Sequence, residues 1–174
     1  MASVPYQYTP LSSESSFRLL RLKETSESQR PFQPTEIELF EVSFQDAPAF
    51  EAVSYAWGHA DTYVSLMCNG HQLYVSPVVL EMIKTLNHIS SIGTFWIDAL
   101  CIDQSSTSEK NIQVPRMRII YSEALRVWIW LGKGSYESRF ALKFLVELDA
   151  RATVHHTKIA FDWEDSVQTY QGRL

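Results

Sequence analysis

Residues 95–104 read FWIDALCIDQ, an apolar run with an acid set inside it. Phe95, Trp96 and Ile97 have the aromatic and β-branched character of a buried strand. Asp98 then sets a carboxylate against an apolar run, and Asp103 and Gln104 close the stretch. Burying a carboxylate is costly unless it is paired or hydrogen-bonded. Asp98 therefore either anchors the loop that follows it or faces a ligand.

Two further runs, AVSYAW at 52–57 and VWIWL at 127–131, are apolar throughout, as strands covered on both faces require. From residue 52 the expected order is strand, hairpin, helix, strand, helix, strand, helix. That alternation predicts an α/β fold, a parallel sheet flanked by helices. Asp98 then falls at the carboxyl end of a parallel strand, where ligands of open α/β sheets bind. Strands at 17–22 and 37–44 are expected to pair as an antiparallel N-terminal hairpin added to that sheet. The apolar register shifts between Leu39 and Phe40, which predicts a bulge. Asn69-Gly70, between two alternating runs, predicts a tight hairpin over 64–75. Ser76-Pro77 opens a helix whose buried face is Val79, Met82, Ile83 and Leu86. Ser106 and Glu109 match a capping box, and Pro115 should kink the helix that follows or start a second one. Ala141, Phe144, Leu145 and Leu148 define a last amphipathic helix. Residues 1–15, rich in Ser and Pro, read as a disordered lead-in; 16–150 read as the domain, with a polar linker at 23–35; and 151–174 read as a frayed tail.

The 174 residues suffice for one domain with a sizeable core, and 45% of them are hydrophobic against 20% charged. A net charge of −5 without a basic run argues against a nucleic-acid groove. No apolar run is long enough to span a bilayer, and no secretory signal is visible. Cys68 and Cys101 make no disulfide framework, so reduced thiols in the cytoplasm are expected.

Three blocks, FEAVSYAWG at 50–58, FWIDALCIDQ at 95–104 and EKNIQVPRMRIIYSEALRVWIWLG at 109–132, together resemble the fungal heterokaryon incompatibility (HET) domain. The resemblance spans roughly residues 17–150. It implies a role in fungal non-self recognition, where incompatible fusion triggers programmed cell death, and a fold similar to the TIR domain, a small flavodoxin-like unit. Pro115 and Arg118 depart from the family pattern of the third block. Many family members continue well beyond such a domain, so a further region for regulation or target choice is expected.

Asp98 and Glu109 are the candidate catalytic acids. Asp98 would bind a ribose hydroxyl or polarise a reacting group, or else accept backbone N–H bonds. Glu109 either completes the cap with Ser106 or stands as a second acid beside Asp98, in which case repulsion would hold one of the pair protonated near neutral pH. Ser54, Trp57 and Gly58 end the strand on the same edge. Trp57 either stacks on a nucleobase or nicotinamide ring or packs in the core, and Gly58 allows a tight turn or close backbone approach. Asp103, Gln104 and Gln113 are further ligand-contact candidates, the two amides as readers of a ligand or as plain loop and helix-surface residues. Cys101 reads as a buried inert thiol rather than a nucleophile served by His59, His71 or His88. His155, His156, Asp162 and Glu164 lack metal-ligand spacing, so no metal is expected.

Two functions of different class follow from the resemblance. One is a signalling module acting by self-association or with another incompatibility protein, through the exposed faces of helices near 79–89 and 139–149. The other is an enzyme: some TIR-like domains cleave NAD at the nicotinamide–ribose bond with one glutamate, for which Glu137 or Glu147 would be offered here, or else Asp98 with Glu109. NAD would then be a substrate; no other cofactor is implied.

Overall fold

The computed structural model describes residues 4–23, 36–58, 61–132, 158–161 and 167–171. The run that opens FWIDALCIDQ becomes strand β6 (Thr94–Ile97), buried at every position. It lies between β3 (Glu51–Tyr55), to which it is parallel, and β1 (Ser16–Leu22), to which it is antiparallel. On the far side of β3 runs β7 (Arg126–Trp130), also parallel. With β2 (Glu36–Ser43), β4 (Val64–Cys68), β5 (His71–Val75), β8 (Lys158–Phe161) and β9 (Val167–Gln171), these form one mixed nine-stranded sheet in the order β5-β4-β2-β1-β6-β3-β7-β9-β8. The expected parallel sheet is thus confined to β6, β3 and β7, apart from a two-residue parallel contact between β2 and β4.

The N-terminal hairpin is not an addition to this sheet. Strand β1 pairs with β2 along its full length and with β6 on its other edge. Its first five residues are all buried, the mark of a central strand. The predicted bulge is absent as well, because β1 and β2 keep one unbroken register from Ser16↔Ser43 to Leu22↔Ile37. Phe40 simply faces the other way, under the Arg21 guanidinium at 4.4 Å from its ring centroid.

Local expectations hold where spacing carried them. Asn69 and Gly70 take positive φ (49° and 79°) in the turn between β4 and β5. The Asn69 amide also bonds the N–H and C=O of Leu39 (3.0 and 2.8 Å), extending the ladder onto β2. Helix α1 (Pro77–Ile89) is capped by Ser76 and buries Val79, Met82, Ile83 and Leu86. A one-turn helix, α2 (Asp98–Cys101), follows β6 directly. Pro115 sits in a 3-10 turn (Val114–Arg116) that separates α3 (Thr107–Gln113) from α4 (Met117–Glu123), since its ring and missing N–H cannot continue a regular helix. Phe17, Leu20, Phe50, Phe95, Trp96 and Ile97 lie at the centre of the core. Each such side chain contributes about 1.5–3 kcal/mol on burial.

The lead-in is ordered where it is described. Pro5 bridges Gln72 on the outer edge of β5, Tyr6 donates its N–H to Gln72 O (2.7 Å), and Tyr8 donates its hydroxyl to Leu100 O (2.9 Å). Within the expected frayed tail, β8 and β9 pair with each other, and β9 pairs with β7. The helix predicted around Ala141–Leu148, with Glu137, Glu147, His59, His155, His156, Asp162 and Glu164, lies outside the described residues.

Candidate functional site

Because β3 and β6 are parallel neighbours, the residues that follow them emerge on one edge of the sheet. There the Trp57 indole N–H donates to Asp98 Oδ2 at 3.0 Å, and the Ala99 amide donates to Asp98 Oδ1 at 2.7 Å. The Asp98 carbonyl oxygen accepts from Ile102 N (3.2 Å) and Gln104 Nε2 (2.9 Å). From α4, the Tyr121 hydroxyl donates to Val53 O at 3.2 Å, and its ring meets Trp96 edge-on at 5.2 Å. Three sequence blocks far apart in the chain therefore meet at the carboxyl ends of β3 and β6. Burial raises the Asp98 pKa above the ordinary carboxylate value, against the pull of the Ala99 amide and the Trp57 indole. Burial and the nearby Asp98 charge push Tyr121 up to about 12 and raise Tyr55 too.

Glu109 does not join Asp98. Its carboxylate forms a two-pronged ion pair with Arg18 of β1, closing through Nη1 and through Nη2 at 3.0 Å. It also accepts the Asp103 amide at 2.8 Å. Arg18 further donates to Thr9 O (2.6 Å) and Cys101 O (3.3 Å). The two side chains are 5% and 10% exposed. Burial works against the Arg18 charge, yet Glu109 more than compensates and leaves the guanidinium above its ordinary pKa. Only half of the predicted capping box forms: Ser106 Oγ accepts from Glu109 N (3.2 Å), while the Glu109 side chain turns inward instead of back to Ser106. A repelling carboxylate pair is thereby replaced by a neutralised one.

The sequence model for Heterokaryon incompatibility protein (HET) matches residues 50–172, from the foot of β3 through β9. The chain belongs to the HET family. It is 29% identical over 114 residues to "Heterokaryon incompatibility protein 6, OR allele" of Neurospora crassa, a match covering 58% of this chain and 17% of that protein. No solved structure matches the chain.

In this HET domain a cleft of about 830 Å³ opens beside the Trp57–Asp98 junction. Trp57, Gly58, Asp103 and Gln104 line it, whereas Ser54, Asp98, Glu109 and Gln113 do not. Ser54 lies half-buried beside the Tyr121 hydroxyl. Gln113 is buried, and its side chain donates to Ser16 O at 2.9 Å, so it ties α3 to β1 rather than reading a ligand. Trp57 is not a core residue: it is 56% exposed and lies nearly parallel to Tyr55, with ring centroids 6.2 Å apart. Among the described residues nothing would lie within 4 Å of a Cβ at Gly58, and its φ is not positive. Cys101 is buried, its sulfur accepts the Ile97 amide (3.4 Å), and burial pushes the thiol up to about 12. Among the described residues no cluster of His, Cys, Asp and Glu is placed to hold a metal, and no helix is long and apolar enough to cross a membrane.

Sequence reasoning missed Arg18 and the two lead-in tyrosines, Tyr6 and Tyr8, both of which line the cleft. The signal for Arg18 was available: a cation inside the apolar strand FRLLRL is as anomalous as Asp98 after FWI. The tyrosines gave none, because an apolar ring with a polar tip suits loop and core alike.

Proposed function

We propose that this chain is the signalling domain of a fungal incompatibility protein, acting in the cytoplasm by self-association or with another incompatibility protein to trigger cell death on non-self contact. One observation carries the reading: the three HET blocks converge on the Trp57–Asp98–Tyr121 junction, where an exposed aromatic face is held beside a cleft. The β6-β3-β7 order, with the first parallel strand in the middle, supports the TIR-like and flavodoxin-like reading of the fold. The central position of β1 supports counting residues from 16 onward as part of the domain.

Inducible expression in a fungal host tests the proposal. Growth arrest or death is expected from the native chain, abolished by Trp57→Ala and reduced by Asp98→Asn at equal protein level. Survival with the native chain, or unchanged killing by Trp57→Ala, counts against it. Purified protein incubated with NAD is expected to release no nicotinamide; release that Asp98→Asn abolishes would replace assembly with chemistry.

A further inference from the structure

The cleft beside Trp57 has a one-sided chemistry. Six aromatic side chains reach it: Tyr6, Tyr8, Tyr55, Trp57, Tyr63 and Tyr74. Trp57, Tyr63 and Tyr74 are more than half exposed, far more than rings held only by packing need be. The charged groups on the wall are Asp61 and Asp103; no Lys, Arg or His is among the described lining residues. Arg18 lies behind the Tyr8 ring, at 5.1 Å from its centroid, with its charge taken by Glu109. Lys110 is turned onto the Gln104 carbonyl at 2.9 Å.

An anion would find little here. The amino end of α1 reaches the cleft, and a helix start ordinarily attracts negative charge through its free N–H groups. At α1 those groups other than the Val78 amide are spent. Pro77 has none, the Val79 amide goes to Ser76 Oγ (3.3 Å) and the Leu80 amide to Ser76 O (3.2 Å). The Ala99 amide at the start of α2 is likewise taken by Asp98. Meanwhile the Trp57 N–H donates to a carboxylate, which shifts electron density toward the ring and strengthens the face it presents to a cation.

We propose that this cleft binds an arginine-bearing peptide segment of a partner protein, its guanidinium stacked on Trp57 and drawn in by Asp61 and Asp103. A guanidinium suits the site better than an ammonium, because it is planar, stacks on aromatic faces and is weakly hydrated. The volume, about 830 Å³, lies toward the upper end of the roughly 300–1,000 Å³ typical of ligand pockets and leaves room for flanking residues. Binding is measured directly, so the assignment stands or falls apart from the signalling role.

Calorimetric titration of the whole chain tests it, with an acetylated and amidated tetra-arginine peptide, a matched tetra-glutamate peptide and NAD as probes. Only the arginine peptide is expected to bind. Its affinity should fall about tenfold in Trp57→Ala and by a similar factor in the Asp61→Asn/Asp103→Asn pair. Trp57→Phe keeps a ring face but gives up the N–H bond to Asp98, so its affinity should fall between those of the native chain and Trp57→Ala. Glu123→Gln removes an exposed acid of α4 outside the cleft and should change nothing. Loss in Trp57→Ala no greater than in Glu123→Gln would mean diffuse attraction to an acidic chain and overturns the site. Preference for tetra-glutamate or NAD, or binding of no probe, overturns its cationic character. A loss in Trp57→Phe equal to that in Trp57→Ala overturns the role of the ring face.

Discussion

Two acids from neighbouring blocks, Asp98 at the start of α2 and Glu109 in α3, turn to different partners. Glu109 points inward to a bidentate arginine, and its remaining acceptor capacity takes a loop amide. Among the described residues Asp98 meets no cation; an amide and an indole N–H hold it, the latter from the exposed Trp57. The first arrangement closes a charge inside the fold and fixes the path from α2 to α3. The second leaves a carboxylate incompletely compensated and uses it to orient an exposed ring. One is built for stability, the other for presentation, although in sequence both are simply acids beside apolar runs.

The sharpest way to test that contrast is to break each acid in turn. Glu109→Ala leaves Arg18 buried and unpaired and is expected to cost about 3–5 kcal/mol in urea unfolding. Exchanging both partners, Arg18→Met with Glu109→Leu, should recover most of that loss, because neither charge is then stranded. Asp98→Ala is expected to cost less, about 1–3 kcal/mol, since two hydrogen bonds are lost at a partly buried position and no charge is left stranded. Equal losses at the two sites would remove the distinction.

Acidity separates them further. Burial holds the folded-state pKa of Asp98 above its ordinary value of 3.8. The native state therefore keeps that proton more tightly than the unfolded chain. Its contribution is fully present below the ordinary value and is lost as pH rises through the folded-state pKa. Measured against Asp98→Asn across a pH series, the native chain should lose ground from pH 3.8 upward; a gap that widens in its favour would mean a carboxylate stabilised by the fold. The smallest effect concerns the thiols. Burial pushes Cys68 and Cys101 each up to about 12, so an aromatic disulfide reagent near neutral pH should modify them only as fast as the fold opens.

What could be read from the sequence was local. The Asn69-Gly70 turn, the buried face of α1 and the break at Pro115 each depend on residues within one or two turns of chain. Asp98 was legible for the same reason: it sits against its own strand. The partner of Glu109 lies 91 residues away, and the position of β1 in the sheet depends on β6, which no periodicity in FRLLRL can report. The shift of apolar register at Leu39-Phe40 predicts a bulge, yet an arginine over the Phe40 ring satisfies it on the other face. The Ser- and Pro-rich composition of the lead-in predicts a loose segment and does not report its backbone bonds to a strand edge or the Tyr8 hydroxyl bond to Leu100.

Strands β1 and β2 stand in the sheet between the β4–β5 hairpin and the parallel core, yet they precede the stretch the family match recognises. A protein trimmed to begin at residue 50 would lose both. It would separate one sheet into two pieces and lay bare the backbone groups of β6 on one side and β4 on the other. Unpaired strand edges recruit further chains. Such a fragment should aggregate rather than fold, and its insolubility would say nothing about the toxicity or activity of the intact domain.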